Sequence, residues 1–270
     1  MKRKLSYILV LFITLTSCGE YNKLLKSSDY ELKYEYAKKY FDQKKYSKAT
    51  ALLEELVPLY KGTDKAEESL YLLARSFFLG KDYLSSGSYF TTYYTTYPKG
   101  KYTELARFYT GEGYYLDSPE AKLDQTETYK AINELQLFLE YFPESDKRQQ
   151  VENMIVDLQE KLALKELLNS QLYFNLGDYM GDNNYRSAII TAQNAIRDFP
   201  YSKLREDFYM LVLRAKYHEA ANSKDNVKGE RLRDVIDEYY SYKNEYPDGK
   251  FTKEATKLFN SASKQVKSEE

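Results

Sequence analysis

The sequence has few or none of the residues on which several common kinds of protein site depend. It contains no Trp, one Cys and one His among 270 residues. A zinc site built from His and Cys needs several such ligands, so this chain cannot form one by itself. Walker A, dinucleotide-binding, GxSxG and EF-hand patterns are absent as well. The sequence therefore predicts a protein that is not an enzyme and has no metal site, and an enzyme that uses a pair of carboxylates is the alternative that these absences leave open.

Glycine and proline are also scarce, with 11 and 6 residues. This scarcity favours long helices over many short strands and turns. The chain is 43% hydrophobic and 30% charged, which is enough for a sizeable core. Its formal net charge is -1 and it has no basic stripe, so we expect no nucleic-acid partner. Because there are 30 Tyr and 13 Phe, we expect much of the buried surface to be aromatic with a polar tip.

The beginning of the chain has the composition of a bacterial lipoprotein leader. A positive segment precedes an apolar stretch at 5–16, which is shorter than the roughly 20 residues that span a bilayer. The end of the stretch forms, with the next two residues, the tetrapeptide "LTSC", which resembles a lipobox and ends at Cys18. We predict that residues 1–17 are a signal peptide that is removed and that residues 18–28 are a tether lipidated on Cys18. Several acyl chains, palmitate among them, would give stable anchoring, and we expect no cofactor apart from this covalent lipid.

An aromatic residue followed by proline occurs four times. The four prolines are 45, 57 and 47 residues apart, a spacing typical of arrays of helical hairpins. The residues twelve, eight and five positions before each proline fall on one helical face. In chain order these sets are Ser86, Phe90 and Tyr93 before Pro98; Ala131, Leu135 and Phe138 before Pro143; Ala188, Ala192 and Ala195 before Pro200; and Val235, Tyr239 and Tyr242 before Pro247. Since proline cannot donate the next backbone hydrogen bond, each one predicts the end of a hairpin's second helix.

Two upstream stretches resemble the first helix of a tetratricopeptide repeat, which has the pattern W-x₂-L-G-x₂-Y. Both place a small residue where two helices would cross closely and large residues around it. The stretches are "LYLLARSF", with Leu70, Leu73, Ala74 and Phe77, and "YFNLGDYM", with Tyr173, Leu176, Gly177 and Met180.

These patterns together predict an all-α fold, a right-handed solenoid of about five tetratricopeptide-like helical hairpins. Repeats one to three would occupy residues 29–143. One long helix, beginning after Pro143, would feed repeat four, and repeats four and five would complete residues 144–262. Residues 263–270 are expected to form a disordered tail. The alternative interpretation is a generic helical bundle in which the prolines recur by chance.

Two surfaces are candidate binding sites. The concave face of a tetratricopeptide array is lined by first helices, and the corresponding positions here combine aromatics and cations that would suit an extended peptide with a carboxylate. These positions are Tyr34, Lys38, Tyr71, Arg75, Arg107 and Tyr114. The second helix predicted for repeat five is dense in tyrosine, and aromatic residues are common anchors of interfaces. Tyr239, Tyr240 and Tyr242 are therefore candidates for docking a folded partner. The alternative for the six concave-face positions is that they are ordinary solvated helix residues, and the alternative for the three tyrosines is that they belong to the core.

The whole pattern resembles the BamD family of lipoproteins, which belong to the β-barrel assembly machinery of Gram-negative outer membranes. The most similar tracts are "VPLYKGTDKAEESLYLLARSFF", "YPKGKYTELARF", "LQEKLALKELLNSQLYFNLGDY" and "AIRDFPYSKLRED". The resemblance implies a non-catalytic scaffold, held by its lipid on the periplasmic face of the outer membrane. It would bind the central barrel subunit, BamA, through its POTRA domains and would receive unfolded outer-membrane proteins. The chain departs from common family forms in lacking a proline-rich tether and in its insertion at 116–130.

Two other functions fit a lipoprotein of this kind. A SusD-like nutrient-binding lipoprotein also uses tetratricopeptide helices, but those chains are about twice as long and bind glycans on tryptophan-rich platforms, whereas this chain has no Trp. A tetratricopeptide scaffold of a different envelope machine would differ from the BamD family only in the tracts quoted above. Co-purification from native membranes would distinguish these possibilities.

Overall fold

A computed structural model describes residues 21–181 and 183–269, and all regular structure in these ranges is helical. Residues 1–17 and Cys18, to which the predictions of a signal peptide and a lipid anchor apply, lie outside the described residues. The helices are α1 (Tyr30–Asp42), α2 (Tyr46–Leu59), α3 (Ala66–Leu79), α4 (Tyr83–Thr96), α5 (Thr103–Asp117), α6 (Thr126–Tyr141), α7 (Arg148–Leu176), α8 (Asn184–Asp198), α9 (Arg205–Ala221), α10 (Asp225–Glu245) and α11 (Thr252–Glu269). A short 3₁₀ helix occupies Tyr179–Gly181. The prediction of an all-α helical-repeat fold is confirmed.

Each of the four aromatic–proline pairs, which we call stops, lies at the end of a helix, as the sequence predicts. Helices α4, α6, α8 and α10 each end one residue before the aromatic residue that precedes the proline. The residues twelve and five positions before each proline are all at most 1% exposed. This burial confirms that each helix packs through the predicted face.

Consecutive helices pack against each other from α1 to α6 and from α8 to α11, and the chain divides into two compact units. The N-terminal unit comprises the described part of residues 1–118 together with 126–154, and the C-terminal unit comprises 119–125 and 155–270. The division falls inside α7, after Met154. The sequence predicts the boundary at Pro143, the last residue of repeat three, which is eleven residues earlier. Segment 119–125 belongs with the C-terminal unit, where Lys165 Nζ donates a 2.6 Å hydrogen bond to the Leu123 carbonyl.

A hydroxyl–glutamate contact closes the turn after each of the four stops. Where the residue five before the proline is tyrosine, its hydroxyl donates to a glutamate of the preceding first helix, as Tyr93 does to Glu67 and Tyr242 to Glu206. At the other two stops that residue is Phe or Ala, and a serine two positions after the proline takes over. Ser145 Oγ then donates to Glu104 at 2.5 Å and Ser202 Oγ to Glu160 at 2.8 Å.

At the two tyrosine stops the residue two positions after the proline is glycine. A Cβ at Gly100 would lie 2.7 Å from Glu67 Oε1 and 2.8 Å from the Tyr93 hydroxyl, and a Cβ at Gly249 would collide with Glu206 and Tyr242 in the same way. Only glycine therefore leaves room for the hydroxyl–glutamate contact at these turns.

The tetratricopeptide pattern proposed for "YFNLGDYM" is wrong. Helix α7 ends at Leu176, and Gly177 follows it with φ +56°, so this glycine terminates the helix and does not mark a helix crossing. Leu176 is 38% exposed and Met180 85% exposed. The contacts of the fourth hairpin are made earlier on α7, where Ala163, Leu167 and Phe174 pack against α8 and α9.

The two ends of the described chain are more ordered than the sequence predicts. The expected disordered tail at 263–270 is wrong as far as Glu269, because α11 extends to that residue and Val266 packs against the core of the last hairpin. Within the predicted tether, residues 21–25 are helical and Leu24 is buried in the first hairpin.

Candidate peptide-binding site

Arg75 is the centre of an aromatic site in the N-terminal unit. Its side chain projects from α3, and its Cζ lies 3.7 Å from the centroid of the Tyr109 ring on α5 and 4.9 Å from that of Phe78. Nη1 of Arg75 is buried and has no hydrogen-bond acceptor among the described residues. A buried donor of a charged group without a partner is costly, so a carboxylate that accepted from it would be bound favourably.

Tyrosine rings form the wall beside Arg75. Tyr71, one turn earlier on α3, stacks on Tyr102 with centroids 4.2 Å apart and planes at 12°. The backbone N–H of Tyr102 donates to the Tyr93 hydroxyl at 3.0 Å, which ties this wall to the hydroxyl–glutamate contact of the stop at Pro98. Burial raises the pKa of Tyr71 to about 12, with Tyr109 adding to the rise and Arg75 opposing it. The wall is thus neutral, aromatic and held by the turn that follows α4.

One carboxylate belongs to the same site. Glu112, one turn after Tyr109 on α5, is half-buried and accepts a 3.2 Å hydrogen bond from Gln150 Nε2. Burial raises the pKa of Glu112, and the charges of Arg75 and Lys147 work in the opposite direction. Arg75 therefore has an acid in its neighbourhood, but no hydrogen bond joins the two side chains.

Arg107 and Tyr114, which the sequence places on the same wall as Arg75, lie on a different side of α5. The guanidinium of Arg107 is held between Tyr94 and Tyr141, at 4.2 and 4.0 Å from their centroids. Tyr114 contacts the position of Gly87 on α4. At roughly 100° per residue, positions 107 and 114 share one side of the helix and positions 109 and 112 share nearly the opposite one. The structure therefore does not bring all six residues of the predicted groove together.

Tyr34 and Lys38 of the first repeat are also separate from the Arg75 site. Tyr34 is 2% exposed, packs edge-on to Tyr60 and donates a 2.6 Å hydrogen bond to Glu68. Burial, followed by this hydrogen bond, raises the pKa of Tyr34. Lys38 Nζ lies 5.2 Å from the Tyr34 ring. Tyr34 is thus a core residue, and of the predicted groove the structure brings together Tyr71 and Arg75.

The three tyrosines predicted to dock a partner have three different environments. Tyr242 is fully buried and takes part in the hydroxyl–glutamate contact, so it cannot meet a partner. Tyr239 is half-buried and stacks on Phe259 at 4.4 Å. Tyr240 is 57% exposed and packs edge-on to the same Phe259 ring at 5.5 Å. Of the three, Tyr240 is the residue available to another protein.

A larger exposed apolar surface lies on α7 in the C-terminal unit, and we call it the leucine ridge. It consists of Leu164, Leu168, Leu172 and Leu176, spaced four residues apart. Leu164, Leu172 and Leu176 are 40, 57 and 38% exposed. Near its start, Leu164 and Leu168 line an open cavity of about 670 Å³ together with Ala121 and Leu204.

None of the helices in the described part of the chain is both long enough and apolar enough to span a membrane.

Comparison with known proteins identifies a family. A search of curated proteins found no match. A family model described as an outer membrane lipoprotein, YfiO, matches residues 27–181, which contain the Arg75 site and the leucine ridge. This match covers more than half of the 270 residues. The chain therefore belongs to the YfiO family of outer membrane lipoproteins, the family of BamD.

Proposed function

We propose that this protein is a non-catalytic, lipid-anchored scaffold of β-barrel assembly on the periplasmic face of the outer membrane. In this role it binds the central barrel subunit, BamA, and segments of unfolded outer-membrane proteins. Family membership supports the general role. The substrate-binding part rests on one observation, the buried Nη1 of Arg75 without an acceptor beside an aromatic wall.

The chemistry of the Arg75 site suits an extended peptide that ends in an aromatic residue and a carboxylate. Arginine presents a planar fork that can hold a carboxylate through two parallel hydrogen bonds. The stacked rings of Tyr71 and Tyr102 offer a flat apolar surface to an aromatic side chain. Glu112 already places one acid near Arg75, so further acidic side chains of a peptide are disfavoured there, and a terminal carboxylate gains its affinity from hydrogen bonds to Arg75.

Affinity for a synthetic barrel C-terminal peptide, with a free carboxylate or as the amide, tests this site. A hydrogen bond to a charged group contributes about 1.5–3 kcal/mol, so the wild type should prefer the acid form by roughly 10- to 150-fold. Arg75→Ala should remove this preference and leave the affinity for the amide nearly unchanged. Arg107→Ala is the matched control, because Arg107 also lies against tyrosine rings but on another side of α5. Equal loss in both variants would show that Arg75 does not bind the carboxylate.

The leucine ridge is the proposed docking surface for the barrel subunit. Rows of residues spaced four apart form the ridges that pack into the grooves of another helix, at about −50° between the axes. Leu172→Glu together with Leu176→Glu should therefore abolish co-purification of BamA from native membranes. Ile190→Glu is the control, since Ile190 is 47% exposed on α8 of the same unit. If the ridge variant still retains BamA, the barrel subunit docks elsewhere.

A further inference from the structure

The segment that the sequence assigns to a free tether is attached to the first hairpin. Leu24 is 6% exposed in the core of that hairpin, and the Tyr21 ring packs edge-on to Tyr40 with centroids 5.6 Å apart. Lys33 is 1% exposed, and its Nζ donates to the Leu25 carbonyl at 2.9 Å and to both oxygens of Glu55 at 2.7–2.8 Å. From Tyr21 onward the chain is therefore part of the folded body.

Only a very short connection separates this point from the proposed lipid on Cys18. Three Cα–Cα steps lead from Cys18 to Tyr21, which at full extension reach about 11 Å. The Debye length at physiological ionic strength is about 8 Å. Even at full extension, Tyr21 would thus lie less than two screening lengths from the anchored residue, so charges beside it would be only partly screened from the lipid headgroups.

The surface around Tyr21 is made of lysines and tyrosines, and we call it the lysine–tyrosine surface. Its exposed or half-buried members are Tyr21, Lys23, Tyr36, Lys39, Lys45 and Lys48, and the buried Tyr40 ring packs against them. Lys48 Nζ lies 4.7 Å from the centroid of the Tyr21 ring and 5.4 Å from that of Tyr40. Lys45 lies 5.9 Å from the Tyr40 ring, and Lys39 lies 5.0 Å from that of Tyr36.

Lys23 completes the surface, because it lines a shallow pocket together with Tyr36. None of these four lysines forms an ion pair with a carboxylate of the described residues. Their positive charge is therefore available to another molecule.

Two acidic residues of this hairpin are already paired with lysines outside the surface. Glu31 is paired with Lys65, and Glu55 is paired with the buried Lys33. Glu35 and Asp42 lie on α1 four residues before and three residues after Lys39, on the same side of the helix as that lysine. This side of α1 thus carries both signs of charge, and the other lysines of the surface, Lys23, Lys45 and Lys48, lie outside this helix.

We propose that the lysine–tyrosine surface binds the anionic phospholipid headgroups of the leaflet that holds the lipid anchor. The position of this surface at the membrane rests on the proposed lipidation of Cys18. Lysine and tyrosine both suit a membrane interface, since each joins an apolar stem or ring to a polar end. The first repeat is then held against the bilayer at two points, the anchor and this surface.

Binding of the unlipidated chain to vesicles tests the proposal independently of the anchor. The protein is residues 18–270 with Cys18→Ser, and the vesicles are phosphatidylcholine alone or mixed with phosphatidylglycerol. Each lysine near an anionic surface strengthens partitioning by about fivefold. The variant with Lys23, Lys39, Lys45 and Lys48 replaced by Gln should therefore bind mixed vesicles at least about a hundredfold more weakly.

The matched control replaces Lys253, Lys257, Lys264 and Lys267 of α11 by Gln, which removes the same charge from four other exposed lysines. It should retain the affinity of the parent chain, and salt should weaken binding of both. The double variant Lys23→Gln, Lys45→Gln changes two exposed positions and should bind about 25-fold more weakly, and it guards against misfolding of the larger variant. Equal losses in surface and control variants, or equal binding to neutral vesicles, would overturn the proposal. Intact mass of the native protein tests the lipid on Cys18 separately.

Discussion

The two units close their stops in the same way but differ in what they offer to a ligand. At Pro98 and at Pro247 a tyrosine hydroxyl joins a glutamate, and the N–H of the residue four positions after the proline donates to that hydroxyl. Eight residues after each glutamate stands an arginine, Arg75 in the N-terminal unit and Arg214 in the C-terminal unit. Arg214 donates two hydrogen bonds of 2.6–2.7 Å to the carboxylate of Glu254. Arg75 has an unpartnered Nη1.

The difference between the two arginines follows from one position in the next helix. Tyr102 and Phe251 are equivalent, since each donates its N–H to the hydroxyl of a stop. Counting three residues on from each gives Leu105 in the N-terminal unit and Glu254 in the C-terminal unit. The N-terminal unit thus has a leucine where the C-terminal unit has the acceptor for its arginine. The same scaffold gives an internal ion pair in one unit and a candidate carboxylate site in the other.

The largest expected effect concerns the feature that the units share. Gly100→Ala and Gly249→Ala should each destabilise the protein by about 1–3 kcal/mol, because the added methyl group overpacks the hydroxyl–glutamate contact. Gly113→Ala is the control, since a Cβ there meets its nearest atom at 3.7 Å and alanine favours a helix. Urea unfolding measures all three. If Gly100→Ala is as harmless as Gly113→Ala, the contact does not hold the turn.

A smaller effect should separate the paired arginine from the unpaired one. The hydrogen bond from Arg214 lowers the pKa of Glu254, so this carboxylate stabilises the folded protein above its ordinary pKa of 4.5, and the stabilisation is lost as pH falls through the lowered value. Because the Glu254 side chain is 43% exposed, we expect the pair to contribute about 1 kcal/mol at neutral pH. Glu254→Gln should remove this contribution and flatten the acid limb of the stability curve. An unchanged acid limb would contradict the pairing.

The smallest effect has the opposite sign and belongs to the Arg75 site. Burial raises the folded pKa of Glu112 above 4.5, so its contribution to stability is greatest below 4.5 and declines as pH rises through the raised value. Glu112→Gln keeps an oxygen that can accept the hydrogen bond from Gln150. Compared with the wild type, this variant should be slightly more stable at pH 7, and the gain should be smaller at pH 4. Thermal unfolding at the two pH values measures this. A loss of stability at pH 7 would show that the charged form of Glu112 is favoured in the folded protein.

The sequence predicted the parts of this fold that depend on local chemistry. Each aromatic–proline pair ends a helix because proline removes a backbone donor, and this holds whatever the surroundings. The faces that the helices bury follow from the positions of small and aromatic residues before Pro98, Pro143, Pro200 and Pro247. These features require only the order of residues along one helix.

Features that depend on how one helix lies against the next were missed. Arg75 and Arg107 are both arginines on first helices, and only the rotation of α5 against its neighbours sends them to different sides. Gly177 fits a crossing pattern in sequence, but the backbone at that position is left-handed and ends α7. The sequence did contain a signal for the hydroxyl–glutamate contacts. Where tyrosine stands five positions before the proline, glycine stands two positions after it, and where that tyrosine is absent, serine stands two positions after the proline.

The most direct test of the account supplies the N-terminal unit with the acceptor that the C-terminal unit has. Leu105→Glu should place a carboxylate beside Arg75, as Glu254 lies beside Arg214. The measurement is the affinity of this variant and of the wild type for the barrel C-terminal peptide, as acid and as amide. The account predicts that the wild type prefers the acid at least about tenfold and that Leu105→Glu abolishes the preference without weakening the amide. An acid preference that persists in Leu105→Glu, or that the wild type lacks, would contradict it.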